Sequence, residues 1–284
     1  MAFTVNTNTG AMAALQSLSA TNKGLATVQS RITTGMNVAS TKDDSASFAI
    51  AQTLRGELGG LTAVNSSLSR AKSVTDVAVA GTEQISDIIN QMKTKAYLSA
   101  DAGQDAASRT SINSDFVALR DRITTIVNSS EFNGTNLLKS GGGSVSALQS
   151  LKDGDAVAAN WQPDSLNIAN QGLNLGGSVV TVAAAGDIAS QASAQTMIDT
   201  LTTTQTNLAT SLSSLGSGSR KIDAQLEFTS KLSDVIEGGI GNLVDADLAK
   251  ESAKLQSLQV KQQLGLQALS IANQAPQSIM SLFR

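Results

Sequence analysis

No cysteine and no histidine occur anywhere in the 284 residues. The first absence removes disulfides, thiol nucleophiles and thiolate metal sites, and says nothing by itself about compartment. The second removes the commonest general acid–base group and the commonest zinc ligand, so Ser-His-Asp and Cys-His arrangements and zinc-protease helices are excluded. Aromatics make up only 3% of the chain, which leaves no stacking platform for single-stranded nucleic acid. With 20 basic and 23 acidic residues, net −3, there is no basic face for a phosphate backbone. No run of about 18 apolar residues is available to span a membrane, and MAFTVNTNTGAMAAL at the start lacks the basic and apolar regions of a cleavable secretory signal. Carboxylate or Ser-Lys chemistry is the one enzymatic route left open. No cofactor and no metal site are expected.

What is present is Ala, Ser, Thr, Gln, Asn and Leu, with two prolines, a composition suited to slender helices packed along their length. Apolar spacing predicts such helices. Ile112, Phe116, Leu119, Ile123 and Ile126 follow the four-three rhythm of a coiled-coil seam. Leu201, Leu208, Leu215, Ile222 and Ile236 recur on a seven-residue ladder with Thr229 filling the missing rung. A second line, Ile198, Leu212 and Leu226, runs beside that ladder. Gly216 and Gly218 would each cost that helix about 1 kcal/mol. Between Ser45 and Ser99 the seam starts as Ile50, Leu54, Leu58, Leu61 and Leu68, then moves around the helix to Ile85, Ile89 and Met92. That rotation predicts either a change of neighbour or a break near Gly81.

The ends are helical too. Leu15, Leu18, Leu25 and Ile32 mark one packing line. The last helix has two: Leu248, Leu255, Leu258, Leu266 and Leu269 on one side, and Ala249, Ala253, Val260, Leu264 and Ile271 roughly opposite, with Lys250, Lys254 and Lys261 between. A helix on the surface of a monomer needs one apolar face. Two imply several partners, so assembly is the expectation. From Ser140 to Gly186 the helical period fades, glycines gather, and VVTVAAAG reads as a strand, while Asn133-Gly134 reads as a tight turn. The fold expected is mainly α: a long antiparallel helical rod with paired terminal helices and a small β-rich excursion mid-chain. Its parts are residues 1–35 and 241–284 for the terminal pair, 36–138 and 190–240 for the rod, and 139–189 for the variable centre.

GMNVASTKDDSASFAI, Gly35 to Ile50, gathers three charges between two of these helices. Gly35 sits where a left-handed residue would end the first helix. Thr41 to Asp44 fits a capping box, Thr41 as N-cap and Asp44 its partner, both aspartates favoured by the helix dipole. Two adjacent carboxylates at a helix start point apart and make a poor acid–base pair. The motif reads as a joint.

RITTGMNVASTKDDSASFAIAQTL strongly resembles the N-terminal signature of bacterial flagellins, FNGTNLL their turn after the second rod helix, and LQSLQVKQQLGLQALSIANQAPQSIMSLFR their C-terminal helix. The resemblance covers roughly residues 1–138 and 190–284. It implies a non-enzymatic subunit that polymerises helically into a flagellar filament for swimming, its terminal helices lining the inner tube and Arg31, Lys42, Asp43 and Asp44 serving contacts between subunits. It implies an extracellular filament, export through the flagellum's own channel without a cleaved signal, and the partners that go with it: itself, related flagellins, junction and cap proteins and an export chaperone. No nucleic acid and no membrane insertion are expected. Outer Ser and Thr residues are candidates for O-glycosylation. In flagellins sensed by the flagellin-specific Toll-like receptor the matching rod segment reads Leu-Gln-Arg-Val-Arg-Glu-Leu-Ala. Here Gln91 replaces an arginine, Thr94 a glutamate, Lys95 a leucine and Asp115 another contacting glutamate, so recognition is expected to be weak or absent. A hook–filament junction protein, a secreted coiled-coil adhesin and an enzyme stand as rival readings.

Overall fold

The computed structural model describes residues 7–153 and 163–282, except for the side chains of 152, 153, 163 and 275–282. It is mainly helical: α1 (Thr9–Thr34), α2 (Ser45–Ala100), α3 (Ala106–Ser129), β1 (Val145–Asp153), β2 (Pro163–Ile168), α4 (Gln191–Val244) and α5 (Leu248–Leu282). The chain divides into two compact units, Met1–Gly56 with Val235–Arg284, and Glu57–Asp234.

In the second unit α2, α3 and α4 share one core. On α4 the buried line runs Ala194, Met197, Leu201, Thr204, Leu208, Ser211, Leu215, Ile222 and Thr229, all on three-four spacing. The α2 seam does not rotate and the helix does not break. Val64, Leu68, Ala71, Thr75, Ala78, Thr82, Ile85, Ile89, Met92, Ala96 and Ser99 form one unbroken heptad line. Its middle was invisible to an apolar count because threonine and alanine fill it. Thr75 and Thr82 are fully buried, and their hydroxyls donate to the carbonyls of Ala71 and Ala78 at 2.9 and 2.7 Å. A buried hydroxyl satisfied within its own turn carries little penalty. Ile50, placed in the seam by its spacing, is instead 52% exposed.

Glycine marks where neighbours press on these helices. A Cβ at Gly81 would stand 2.6 Å from Ser130 Oγ and 2.7 Å from Leu138 Cδ1, so the segment after α3 closes directly on α2 there. β1 and β2 pair antiparallel, Val145 with Ile168. Leu151 of β1 occupies the notch at Gly60, and Ile168 of β2 the notch at Gly218, where added Cβ atoms would meet them at 2.6 and 2.9 Å. The hairpin is thus keyed to both α2 and α4, and α4 runs unbroken through Gly216 and Gly218.

Asn133, at φ 50°, and Gly134, at φ 79°, make the expected two-residue turn, closed by paired bonds between Phe132 and Thr135. VVTVAAAG, by contrast, is no strand. Gly176 N–H and Gly177 N–H donate to the carbonyls of Val182 and Val180, folding the segment back on itself. Val180 and Val182 enter the core, while Thr181 N–H and its hydroxyl bond to Thr204 and Thr200 of α4. Alternation of buried and polar residues is satisfied there by a helix face, with no strand partner.

Candidate functional site

The first unit holds both the charged joint and the terminal helix pair. α1 ends as its sequence predicts, with Gly35 at φ 71°. The capping box is arranged differently from its prediction. Asp44, not Thr41, caps α2: its carboxylate accepts from Ala46 N–H at 3.0 Å, Ser47 N–H at 3.3 Å and the Ser47 hydroxyl at 2.8 Å. Asp43 turns backwards and accepts from Ala39 N–H, Ser40 N–H and the Ser40 hydroxyl at 3.0–3.2 Å. The two carboxylates therefore serve opposite sides of one loop. The bonds from Ser40 hold the Asp43 carboxyl below its ordinary value, helped by Ala39 N–H and by the more distant Arg31 charge. The bonds from Ser47, then Ala46, do the same for Asp44. Lys42 is exposed.

This loop lies against the α4–α5 connection. Asn37 and Val38 N–H donate to Val244 O at 2.7 and 3.2 Å, and Ala246 N–H donates to Gly35 O at 2.9 Å. Val38, Ala51, Ile240 and Val244 form a small core beneath. Asp247 caps α5 through Ala249 and Lys250 N–H.

Beyond the joint, α1 and α5 pack antiparallel on a heptad seam. Ala11, Ala14, Leu18, Thr21, Leu25, Val28 and Ile32 face Glu251, Leu255, Leu258, Gln262, Gly265, Leu269 and Ala272, each line half-buried or buried. Side chains fix the alignment at both ends and between. Asn8 Nδ2 donates to Ala272 O at 2.7 Å, Gln262 Nε2 to Asn22 Oδ1 at 2.7 Å, and Arg31 Nη1 to Glu251 Oε1 at 3.4 Å. Leu258 fills the space over Gly24, and Leu18 that over Gly265. Glu251 is 7% exposed, and its Oε2, like Arg31 Nε, is buried without a hydrogen bond.

Of the residues predicted to pack, Leu18, Leu25, Ile32, Leu255, Leu258 and Leu269 lie on this seam. Leu15, Leu248 and Leu266 do not: they are 50–58% exposed. Leu15 and Leu266 sit one step off their seams at the same level of the pair. Leu248 is the first residue of α5, level with Thr34, where α1 runs out. Met12, Val260, Leu264 and Ile271 are exposed as well. Lys250, Lys254 and Lys261 are exposed among them. The side of α5 away from α1 is therefore apolar, cationic and uncovered within one chain. Arg31, expected with Lys42, Asp43 and Asp44, is engaged internally by Glu251. Sequence spacing missed Glu251 because a lone acid on a helix carries no sign of burial; its seven-residue relation to Leu258 was the available clue.

In the second unit, Gln91, Thr94 and Lys95 lie together on the outward side of α2, opposite the core line Ile89, Met92 and Ala96. Lys95 Nζ pairs with Asp115 of α3 at 2.6 Å, joining the fourth predicted residue to them. Thr94 bonds only to its own helix, at Asn90 O. Among the described residues, no group of His, Cys, Asp or Glu could hold a metal ion, and no helix is long and apolar enough to cross a membrane.

Residues 5–141 match the family model of the bacterial flagellin N-terminal helical region, and residues 197–283 that of the bacterial flagellin C-terminal helical region. Flagellin FljM of Caulobacter vibrioides is 44% identical over 280 residues, covering 99% of this chain and 98% of that protein. A flagellin of Brucella melitensis is 35% identical over 283 residues, covering 98% of each. A crystal structure of Bacillus cereus flagellin superposes with TM-score 0.39 at 19% identity, over 66% of this chain and 93% of that one.

Proposed function

The chain belongs to the bacterial flagellin family and is a structural subunit of the flagellar filament, and from that premise we propose that it joins its neighbours through the outer sides of α1 and α5. The observation that carries this reading is the exposed apolar line Val260, Leu264 and Ile271, with Leu15 and Leu266 beside the seam. Each such side chain would yield roughly 1.5–3 kcal/mol if buried by another copy. Left in water, a line of this length is a liability that monomers avoid. A helical polymer covers it on every subunit except the last.

The joint supports the same reading in a different way. Asp43 and Asp44 fix the loop, which leaves Lys42 free to meet a neighbouring subunit. Arg31 acts from inside, through Glu251. Junction and cap proteins, an export chaperone, related flagellins and passage through the flagellar channel belong to this reading as partners and route. On the outer side of α2, Gln91 and Thr94 offer neither the guanidinium nor the carboxylate of the receptor-sensed pattern, and the Lys95–Asp115 pair replaces an apolar anchor. Weak or absent recognition by the flagellin-specific Toll-like receptor follows, since a desolvated lysine is a poor substitute for leucine.

Seeded growth tests the assembly surface. Soluble chain added to short filament fragments should extend them into long tubes, seen by electron microscopy and sedimentation, and Leu264→Asp with Ile271→Asp should abolish extension. Normal growth of that variant would remove the α5 face from the reading. A chain that caps seeds without extending them would favour the junction role.

A further inference from the structure

We propose that Arg31 and Glu251 are positioning residues that set the register of α1 on α5, so that only one of several heptad-related alignments is populated. The seam alone discriminates poorly. It is rich in small or polar members, with Ala11, Ala14 and Thr21 on one helix and Gln262, Gly265 and Ala272 on the other. A shift of seven residues keeps both stripes face to face, which is how register errors arise in coiled coils. In one direction it brings Leu18 from Gly265 to Ala272, a change of one methyl group at the contact. In the other it brings Leu18 to Leu258.

The ion pair is what a slip cannot preserve. Seven residues of helix are about 10 Å, so either shift parts Arg31 from Glu251. The Glu251 side chain is only 10% exposed, and Lys254 Nζ, at 3.8 Å from the same oxygen, is its one other cation within reach. Arg31 Nε and Glu251 Oε2 are buried with no hydrogen bond, so neither charge has a second buried partner waiting in another alignment. A buried ion pair of this kind contributes little net stability and much specificity, because its separated charges are so unfavourable. It also sits beside the joint, where Ala246 N–H bonds to Gly35 O, so the alignment is fixed where the two helices enter the pair. The consequence for assembly rests on the reading above: a slipped pair would carry Val260, Leu264 and Ile271 about 10 Å out of place against Met12 and Leu15. The register itself does not depend on that reading.

The absence of native cysteine makes disulfide mapping free of background. Asn22→Cys with Gln262→Cys reports the observed register; Asn22→Cys with Leu269→Cys, or with Leu255→Cys, reports a slip either way. The pairs are oxidised in the soluble chain and, separately, in filaments grown from unmodified seeds, then read on non-reducing gels. With Arg31 and Glu251 intact, only the first pair should crosslink. Glu251→Gln should raise a slipped crosslink at least tenfold, and the exchange Arg31→Glu with Glu251→Arg should return it to background. Exclusive native crosslinking in Glu251→Gln would overturn the proposal, as would an exchange variant that stays slipped. Where Glu251→Gln is not taken into filaments, uptake of the exchange variant with the native crosslink supports the pin, and its exclusion refutes it. Register measured in the soluble chain stands even if seeds fail to grow, which separates this inference from the assembly reading.

Discussion

Two glycines in the same helix and the same unit should respond to alanine in opposite ways. Gly59 and Gly81 both lie inside α2, so each replacement removes the same backbone entropy and gains about 0.8–1 kcal/mol of helix propensity. At Gly59 a Cβ meets nothing within 4 Å, so the gain should appear whole. At Gly81 it would lie 2.6 Å from Ser130 Oγ and 2.7 Å from Leu138 Cδ1. Neither neighbour can yield easily. Leu138 is fully buried, and the Ser130 hydroxyl is committed to Ile126 O at 2.7 Å. Overpacking of this kind costs about 1–3 kcal/mol, and displacing the serine bond about 1 more. Gly81→Ala should therefore destabilise by about 1–3 kcal/mol while Gly59→Ala stabilises by just under 1. Urea unfolding of the soluble chain, followed by the helical circular dichroism signal, measures both midpoints. Equal upward shifts would refute the claim that the segment after α3 is what requires glycine at 81.

Asp44→Ala should unravel the first turn of α2, seen as faster amide exchange at Ala46 and Ser47, whereas Asp44→Ser should hold it. Asp43→Ala should leave the soluble chain folded yet impair filament growth, and normal filaments would count against the joint's part in assembly. Both carboxyls have lowered values in the folded chain, so their stabilisation is fully present above the ordinary aspartate value of 3.8 and is lost as pH falls through their own lower values. An acid titration should accordingly loosen the joint only below about pH 4, and loosening near neutrality would contradict the assignment. Arg109 donates to the carbonyls of Ser99, Asp101 and Gln104, and Arg109→Met should cost about 2–3 kcal/mol in urea unfolding, since bonds from a charged donor are the stronger kind. A receptor-reporter cell assay should give little or no signal with the unaltered chain, and a robust one would overturn the reading of Gln91, Thr94 and Lys95.

Those parts of the fold written in large apolar side chains were legible in advance. The α3 seam and the seven-residue ladder of α4 needed only Leu, Ile and Phe at the right spacing, and Thr229 fits that ladder with its hydroxyl bonded to Gln225 O. Gly35 was legible because a left-handed cap has few substitutes. The α2 seam was not, because Thr75, Ala78 and Thr82 look like surface residues until their neighbours are known. At the joint the residues were correctly singled out and their roles were not: which of Thr41, Asp43 and Asp44 caps α2 depends on one turn of backbone, below the resolution of any spacing argument. The terminal helices failed in another way. Leu15, Leu248 and Leu266 are as apolar as their neighbours, and only the angle between two real helices decides which leucines meet. Glu251, the charge inside that seam, had no sequence signal beyond its interval to Leu258.

The threonine, serine and alanine that fill the seams of α2 and α4 have a thermal consequence. Unfolding raises heat capacity in proportion to the apolar area it exposes, and polar groups pull the other way. Seam positions occupied by Thr75, Thr82, Ser99, Thr204, Ser211 and Thr229 expose less hydrocarbon per residue than leucine would. The heat-capacity increment per residue should then fall below the usual ~12–15 cal/mol/K, and the stability curve should be shallow on both sides of its maximum. Warming and cooling would cost such a chain comparatively little.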